Sequence, residues 1–355
     1  MTTALALYSG GLDSTLACRL IMEQGIRVVA VKFVTPFFGA ALLADPEGYR
    51  AEIRRRYGIE VLLRDLTEPY LRMLAAPAHG YGKNFNPCVD CKIMLMGEAL
   101  RMLTELDASF LISGEVLGQR PMSQRRDTLR VIERDSGCDD LLLRPLSARH
   151  LPPTRPEREG LVDRDSLLAF RGRNRTPQIE LAARFGIVDY ESPGGGCVLT
   201  DPNLAKRIRG LYGETALAGK IPAAEDIRLL LAGRVMRLPS GAWLVLGRSE
   251  PENDRLQTLA LPSDWLLNLR DHPGPTALLR RPPALPQAAG RQEQEEQEEQ
   301  EEQDLAAAAG LVLRYAGKTY RAQGRAVVQA ETAGRSLREL EATPLADEVF
   351  AGWRS

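Results

Sequence analysis

Residues 4–14 read ALALYSGGLDS and join a short apolar run to a glycine-containing turn. The apolar residues 4–8 predict a buried β-strand, and the apolar spacing over 16–21 predicts a helix that begins directly after the turn. A loop between a buried strand and a helix N-terminus gathers backbone N–H groups, which together with the helix dipole favour a phosphate group. Gly10 and Gly11 allow close backbone approach to such a group. The stretch therefore predicts a phosphate-binding loop at one edge of a sheet.

The remainder of the first 200 residues alternates strand patterns with helix patterns. Apolar or β-branched runs occur at 28–34, 61–63 and 110–112, with helical spacing over 46–57 and 93–106. Strands that alternate with helices are typical of a doubly wound, mostly parallel sheet. We therefore predict an α/β domain over residues 1–200.

The chain beyond residue 200 changes its pattern. Two apolar runs, Arg234–Leu238 and Ala242–Leu246, flank a Pro-Ser-Gly turn and predict a β-hairpin, so we expect a smaller α+β domain over 201–281. Residues 282–304 hold prolines and then a Gln/Glu tract, whose composition predicts a linker, with a solvated single helix as the alternative. Residues 305–355 regain apolar spacing, and we expect them to complete the second domain as a C-terminal tail.

The overall composition excludes several classes of protein. A formal net charge of -1 with 26% charged residues gives no whole-chain attraction for nucleic acid, so any RNA contact must come from a local patch. Met1 is followed by neither a basic start nor a long apolar run, and we expect a cytoplasmic protein without membrane contact. Five unevenly placed cysteines do not indicate a secreted disulfide framework, which leaves metal or redox chemistry.

The polar residues of the loop indicate what it binds. Ser9 and Ser14 can donate hydroxyl hydrogen bonds to a phosphate, whereas Asp13 would repel one unless a cation lies between them. Asp13 therefore predicts a Mg²⁺-bound nucleotide, and the alternative is that Ser-Gly-Gly is merely a turn. The chain lacks Gly-x-x-x-x-Gly-Lys-Ser/Thr and, at this first turn, Gly-x-Gly-x-x-Gly, which excludes the kinase-like and dinucleotide-binding classes.

The segment Ser9–Ser14 resembles the SGGxDS signature of the PP-loop ATP pyrophosphatases. The resemblance implies an adenine nucleotide α-hydrolase-like fold that cleaves ATP between its α and β phosphates, transfers AMP to a carbonyl-type oxygen and releases pyrophosphate. It assigns a catalytic role to Asp13. The residues expected to bind ATP are Ser9, Gly10, Gly11, Leu12, Asp13 and Ser14, with Phe33 at the adenine and Gly114 near ATP or the uridine.

Three cysteines form the second constellation. Cys88 and Cys91 make a Cys-x-x-Cys, whose spacing lets two thiolates share a metal or cluster or form a redox disulfide. Cys197 follows three glycines, which strip side-chain bulk from the approach to its sulfur. Three thiolates would leave one iron of a [4Fe–4S] cluster open to an exogenous sulfide. The alternatives are a persulfide carrier, a zinc site and three unrelated thiols.

Asn86-Pro87-Cys88 and Gly195-Gly196-Cys197, taken with Ser9–Ser14, resemble the tRNA-thiolating branch of the PP-loop family, the tRNA 4-thiouridine synthases and 2-thiouridylases. The resemblance implies adenylation of a tRNA uridine carbonyl oxygen and its replacement by sulfur. It makes Cys88, Cys91 and Cys197 the catalytic cysteines and the metal ligands. The implied cofactors are ATP, Mg²⁺ and a [4Fe–4S] cluster, and the implied sulfur donor is inorganic sulfide or a cysteine desulfurase. A homodimer is a further expectation.

Basic residues predict where RNA or phosphate is contacted. Arg120 follows a predicted strand edge, and Arg173 and Arg175 lie shortly before the glycine-rich cysteine loop; a solvated basic face is the alternative. Segments 247–253 and 273–275 resemble the small RNA-associated domain of ribosome quality-control factors, which favours RNA. The competing hypotheses are a PP-loop enzyme that adenylates a small molecule and a noncatalytic RNA-binding or cluster-sensing protein.

Overall fold

The computed structural model describes residues 2–190, 196–217, 219–281, 291–333 and 336–353. The chain divides into two compact units, Met1–Asp201 and Pro202–Ser355. The division falls next to the boundary predicted near Thr200.

The first unit is built on a five-stranded sheet with the strand order β3-β2-β1-β4-β5, in which every pair is parallel. The strand that leads into the phosphate loop is therefore central. The elements are β1 (Thr3–Leu7), α1 (Leu12–Met22), β2 (Arg27–Val34), α2 (Pro46–Tyr57), β3 (Glu60–Asp65), α3 (Thr67–Ala75), α4 (Cys88–Glu105), β4 (Phe110–Ser113), α5 (Arg126–Ser136), β5 (Leu142–Leu143), α6 (Arg155–Arg158) and α7 (Thr176–Arg184).

Helices cover both faces of this sheet because successive residues of β1 point to opposite sides. Ala4 and Ala6 belong to one buried cluster, together with residues of α1, α2 and α7. Leu5 belongs to a second cluster, together with residues of α4 and α5. The predicted doubly wound α/β domain is confirmed.

The second unit contains a six-stranded antiparallel sheet with the order β11-β10-β8-β9-β7-β6. The predicted hairpin is present, since β6 and β7 pair in antiparallel register from Arg234↔Leu246 to Arg237↔Trp243. The elements are α8 (Pro202–Leu217), α9 (Ala224–Leu230), β6 (Arg234–Arg237), β7 (Trp243–Leu246), α10 (Glu250–Leu259), β8 (Trp265–Leu269), β9 (Ala277–Arg280), α11 (Arg291–Tyr315), α12 (Lys318–Ala322), β10 (Ala326–Thr332), β11 (Ser336–Ala342) and α13 (Asp347–Phe350).

The Gln/Glu tract is helical, so the prediction of a linker over residues 291–304 was wrong. The tract forms the first half of the 25-residue helix α11, and residues 282–290 lie outside the described ranges. Leu305, Leu311 and Val312 are fully buried in the second unit's core, which anchors the helix, and Glu and Gln extend it because they are good helix formers. Neither α11 nor any other helix in the described part of the chain is long and apolar enough to cross a membrane.

Candidate functional site

The phosphate loop has the backbone that its glycines predict. Gly10 adopts a φ of 88°, a left-handed conformation that favours glycine, and Gly11 is the extended N-cap of α1. No side chain caps the helix at Gly11. Because the first amides of a helix have no intrahelical partner, those of the α1 first turn can donate to an anion bound at the loop.

Side chains around the loop hold its hydroxyl groups together. The Oγ atoms of Ser9 and Ser14 lie 3.1 Å apart, and Ser14 Oγ donates to the carbonyl of Gly11 at 2.8 Å. The Lys32 ammonium donates to the carbonyl of Ser9, so a basic side chain lies beside the loop. Phe33, predicted at the adenine, places its ring in the apolar core at 5% exposure and leaves only its backbone near the carboxyl end of β2.

Asp13 has one carboxylate oxygen engaged and one free of hydrogen bonds. Its Oδ2 accepts from Gln119 Nε2 at 2.8 Å, and Gln178 Nε2 in turn donates to Gln119 Oε1 at 3.5 Å. Asp13 Oδ1 is buried and has no hydrogen-bond partner among the residues that the structure describes. A buried carboxylate oxygen with no donor is the kind of ligand that Mg²⁺ prefers, so the predicted Mg²⁺ fits this position. Sequence reasoning gave no role to Gln119, although it follows the predicted strand edge.

Gly114 touches the phosphate loop directly. A Cβ at this position would lie 2.5 Å from the carbonyl carbon of Asp13 and 2.5 Å from the amide nitrogen of Ser14. This close approach follows from the register of β1 and β4, which pair up to Leu7↔Ser113. The structure therefore brings predicted Gly114 together with the loop, at the carboxyl edge of the sheet.

Cys88 and Cys91 lie in the first turn of α4. Pro87 is the N-cap, and the amide of Cys91 donates to its carbonyl at 2.8 Å. Both cysteines therefore lie at the N-terminal end of an 18-residue helix. Asp90 fixes this turn, since its buried carboxylate accepts from the amides of Ala78 and His79.

Hydrogen bonds between residues 84–85, just before α4, and residues 199–200 hold the segment of Cys197 near the start of α4. The amide of Phe85 donates to the carbonyl of Leu199 at 3.2 Å, and Asn84 Nδ2 donates to the carbonyl of Thr200 at 2.6 Å. Thr200 Oγ1 donates back to the carbonyl of Cys197 at 2.6 Å. The preceding residues 191–195, including Gly195, lie outside the described residues.

The three predicted thiols share one environment, centred on Tyr70 of α3. Burial raises the pKa of Tyr70, and Cys91, Cys197 and Cys88 raise it further. Burial also raises the pKa of Cys91 to about 12, opposed by the neighbouring Lys92. Nothing in the sequence distinguished Tyr70 from a core tyrosine, and only the fold reveals it.

The thiols are neighbours and not a preformed coordination site. Among the described residues, no group of three or more His, Cys, Asp or Glu side chains is arranged to hold a metal ion. All five cysteines are free thiols, and Cys18 and Cys138 are buried core residues away from this cluster. Cys88, Cys91 and Cys197 nevertheless all lie within electrostatic range of the Tyr70 phenol, so the three predicted ligands share one neighbourhood.

A buried charge network connects the thiols to the end of β4. Lys92 Nζ lies 3.2 Å from Glu115 Oε1, and Arg144 Nε lies 3.0 Å from Glu115 Oε2. Arg144 also pairs with Glu133. Burial alone would raise the pKa of Glu115, but the positive charges of Lys92 and Arg144 hold this pKa below its ordinary value. The carboxylate is therefore ionised at neutral pH, and Lys92 is fixed next to Cys91.

The predicted basic residues differ in what they reach. Burial raises the pKa of Cys197 and Arg120 opposes this, so Arg120 lies within electrostatic range of the thiol. Segment 171–175 is tied to the loop after β4 by the amide of Gly172, which donates to the carbonyl of Leu117 at 2.7 Å. Within that segment Arg173 is exposed. Arg175 is half-buried, and its Nε has no hydrogen-bond partner in the described ranges of the chain.

Two family models match the chain. Residues 1–150 match the model of the thiamine biosynthesis protein (ThiI), and residues 233–354 match that of the NFACT protein RNA binding domain. These matches confirm the resemblances predicted for the two parts of the chain.

Similar proteins include tRNA-modifying enzymes. The chain is 28% identical over 143 residues to a protein of Thermococcus kodakarensis named "Probable tRNA sulfurtransferase", covering 40% of this chain and 36% of the relative. It is 30% identical over 149 residues to the tRNA sulfurtransferase of Marinobacter nauticus, a match that covers 41% of this chain and 29% of the relative. The chain thus spans about a third of the length of these relatives.

Solved structures with a similar chain path include a 4-thiouridine synthetase in complex with RNA and bound ATP. It has a TM-score of 0.36 at 17% identity and covers 61% of this chain and 52% of that one. The U34-tRNA thiolase NcsA of Methanococcus maripaludis with its [4Fe–4S] cluster has a TM-score of 0.30 at 15% identity, covering 60% and 67%. Both TM-scores are low, so the assignment of the α/β fold rests on the strand order of this chain and not on these structures.

Proposed function

We propose that this protein catalyses ATP-dependent thiolation of a uridine in tRNA. The observation that carries the proposal is the dipeptide Gly114-Glu115, which contacts both halves of the site. Gly114 packs on the phosphate loop at Asp13 and Ser14, and Glu115 pairs with Lys92 next to Cys91. Thiolation needs an oxygen-activating group near a sulfur-carrying group. The contacts of this strand end with the phosphate loop and with the residue after Cys91 support that arrangement. The names of the matched relatives support tRNA as the substrate.

The first step is adenylation. The uridine carbonyl oxygen attacks the α-phosphorus of ATP, a P–O bond forms, and the bond to pyrophosphate breaks. The amides of the α1 first turn, the hydroxyls of Ser9 and Ser14 and the nearby Lys32 would stabilise charge on the phosphates. Asp13 would hold Mg²⁺ through its unpartnered Oδ1. Pyrophosphate leaves and AMP stays on the oxygen, which turns that oxygen into a good leaving group.

The second step replaces the adenylated oxygen by sulfur. With a persulfide on one cysteine, the terminal sulfur attacks the uridine carbon and AMP leaves with the oxygen. A second cysteine then attacks the remaining S–S bond, which releases thiouridine and leaves a cysteine disulfide for an external dithiol to reduce. A [4Fe–4S] cluster held by Cys88, Cys91 and Cys197 would instead supply hydrosulfide bound at its open iron, without a cysteine disulfide.

We assign an RNA contact to the second unit as well. A cavity of about 380 Å³ is lined by Arg234, Arg248 and Tyr315 and by the start of α10. The Arg234 guanidinium lies 3.9 Å from the centre of the Tyr315 ring. A flat cation on an aromatic face offers a stacking platform for a nucleotide, which agrees with the family match of this segment. Arg234→Gln should weaken tRNA binding in a filter assay, and unchanged binding would remove the cavity from the RNA path.

The decisive experiment uses anaerobically purified full-length protein with tRNA, ATP, Mg²⁺ and sulfide, and measures thiouridine by mass spectrometry of tRNA nucleosides. Wild type should form one thiouridine, and Cys197→Ala should form none. Cys18→Ala, which removes a buried thiol outside the cluster, is the matched control. Iron and sulfide analysis separates the two sulfur carriers. A brown, iron-containing protein that is active with sulfide assigns the cluster route. A colourless, iron-free protein that is inactive with sulfide but active with a cysteine desulfurase and cysteine assigns the persulfide route, because sulfide alone cannot form a persulfide without an oxidant.

The same reaction tests the competing functions. AMP formation that ignores added tRNA would favour a small-molecule substrate, and an absence of AMP under every condition would favour a noncatalytic RNA-binding protein. Replacing sulfide by a cysteine desulfurase with cysteine identifies the sulfur donor. The homodimer and the cytoplasmic location remain predictions, and sedimentation of the purified chain tests the first.

A further inference from the structure

A cavity of about 570 Å³ lies at the β5 edge of the first sheet. Its apolar wall includes Leu129 of α5, Leu142 of β5 and Leu151. Small-molecule sites typically have about 300–1,000 Å³ and combine an apolar wall with a few polar groups. None of these lining side chains has a place in the proposed thiolation site.

Arg144 lines this cavity with one donor unused. The residue is 2% exposed; its Nε donates to Glu115 at 3.0 Å, and its Nη1 donates to Glu133. Its Nη2 is buried and has no hydrogen-bond partner among the described residues. Because a guanidinium is always charged and a buried donor without an acceptor is costly, this wall calls for an acceptor oxygen.

The charges around the cavity leave room for one negative charge. Each lining carboxylate has an arginine partner: Glu133 pairs with Arg144, Asp139 with Arg130, Asp140 with Arg158, and Glu157 with Arg164. Glu115, the second carboxylate on Arg144, is balanced by Lys92. Arg126 also lines the cavity, and its Nη2 donates to the carbonyl of His150 at 2.8 Å. Arg126 has no carboxylate partner in the part of the chain that the structure describes. A monoanion would therefore balance the local charge.

We propose that this cavity binds a small carboxylate with a branched or aromatic apolar body. The carboxylate accepts from Arg144 Nη2 and compensates Arg126, while the apolar body packs on Leu129, Leu142 and Leu151. A phosphate monoester fits less well, since it carries close to two charges and three strong acceptor oxygens where the wall offers one unused donor. The proposal does not require the thiolation reaction, although Arg144 also pairs with Glu115 of that site.

The test titrates full-length protein with benzoate and 4-methylpentanoate, followed by saturation-transfer NMR and calorimetry. The neutral amides of both acids and phenyl phosphate serve as comparison ligands. The carboxylates should bind, and Arg126→Gln should weaken them about tenfold without changing the amides, as expected for loss of a charged partner. Arg125→Gln is the matched control, because its neighbouring guanidinium pairs with Asp127 at 3.0 Å and does not line the cavity.

A second cavity variant keeps the test valid if the first one fails to fold. Arg144→Met removes the unused donor but also breaks a buried ion pair, so Leu151→Trp, which fills the cavity from its partly exposed side, provides the independent test. Leu151→Trp should abolish carboxylate binding in a folded protein. Absence of carboxylate binding at millimolar concentration, tighter binding of phenyl phosphate, or an equal loss of amides and carboxylates in Arg126→Gln would each overturn the proposal.

Discussion

Gly114→Ala places a methyl group where the backbone of the phosphate loop already lies. The added Cβ would come within 2.5 Å of the Asp13 carbonyl carbon and the Ser14 amide nitrogen. Non-bonded carbon atoms normally stay about 3.5–4.0 Å apart, so the loop and the end of β4 must separate by about 1 Å. Because both neighbours are backbone atoms, no change of rotamer relieves the overlap.

We expect two measurable effects of Gly114→Ala. The free energy of unfolding should fall by about 1–3 kcal/mol, the usual cost of overpacking. The kcat/KM for AMP formation should fall about 100-fold, since a displacement of about 1 Å at a reacting site has an effect of that size. Radiolabelled ATP measures AMP, and urea denaturation measures stability.

Gly97→Ala in α4 is the matched control for Gly114→Ala. Its Cβ would meet the carbonyl oxygen of Ser136 at 3.7 Å, an ordinary contact, so both stability and AMP formation should stay near wild type. A folded Gly114→Ala protein that forms AMP at the wild-type rate would refute the reasoning that Gly114 sets the geometry of the loop.

Three further predictions concern buried groups. Glu115→Gln removes a buried carboxylate from Arg144, which keeps its pairing with Glu133, and from the half-buried Lys92. It should lower the free energy of unfolding by about 1–3 kcal/mol in urea denaturation, the usual cost of leaving a buried group without its partner; a loss below about 0.5 kcal/mol contradicts a buried network. Burial raises the pKa of Cys18 from an ordinary 9.0 to about 12, so its neutral thiol favours the folded state below pH 9 and this contribution is lost as the pH rises towards 12. Above pH 9 the free energy of unfolding of wild type should therefore fall, relative to that of Cys18→Ala, by about 1.4 kcal/mol per pH unit. An equal difference between the two proteins at pH 8 and at pH 10.5 would contradict this prediction. Leu305→Ala, at a fully buried position of α11, should cost about 2–5 kcal/mol, whereas Glu299→Ala on the exposed tract should change stability by less than about 0.5 kcal/mol, and equal effects would argue against an anchored helix.

Local chemistry made the first sheet and its loop predictable from the sequence. Gly10 and Gly11 interrupt an apolar run, and the helix that follows has its apolar spacing, so strand, loop and helix are each specified within a few residues. The same local reasoning failed for the Gln/Glu tract. Its composition resembles that of a linker, and only burial of Leu305 and later residues of α11 explains why it is helical.

Contacts between distant segments account for what the sequence did not reveal. The cysteine spacing identified Cys88 and Cys91 as a pair, but the approach of Cys197 depends on hydrogen bonds from Phe85 and from Asn84, which adopts a left-handed φ of 60°. Tyr70 reads in the sequence as an ordinary core aromatic. Such positions are determined by tertiary packing, which no local pattern encodes.

The end of β4 contacts both parts of the proposed site. Gly114 packs on the phosphate loop, and the adjacent Glu115 pairs with Lys92 in the first turns of α4. A shift of β4 along the sheet would move Gly114 against Asp13 and, at the same time, draw Glu115 away from Lys92. The distance between the phosphate loop and the first turn of α4 is therefore set by one rigid element and not by two flexible ones. If adenylation and sulfur transfer act on one uridine, the end of β4 keeps the reacting carbon of that uridine within reach of the phosphate loop and of the cysteines of α4. Glu115 variants, which leave the contact of Gly114 with the loop in place, should then impair transfer of sulfur more than cleavage of ATP.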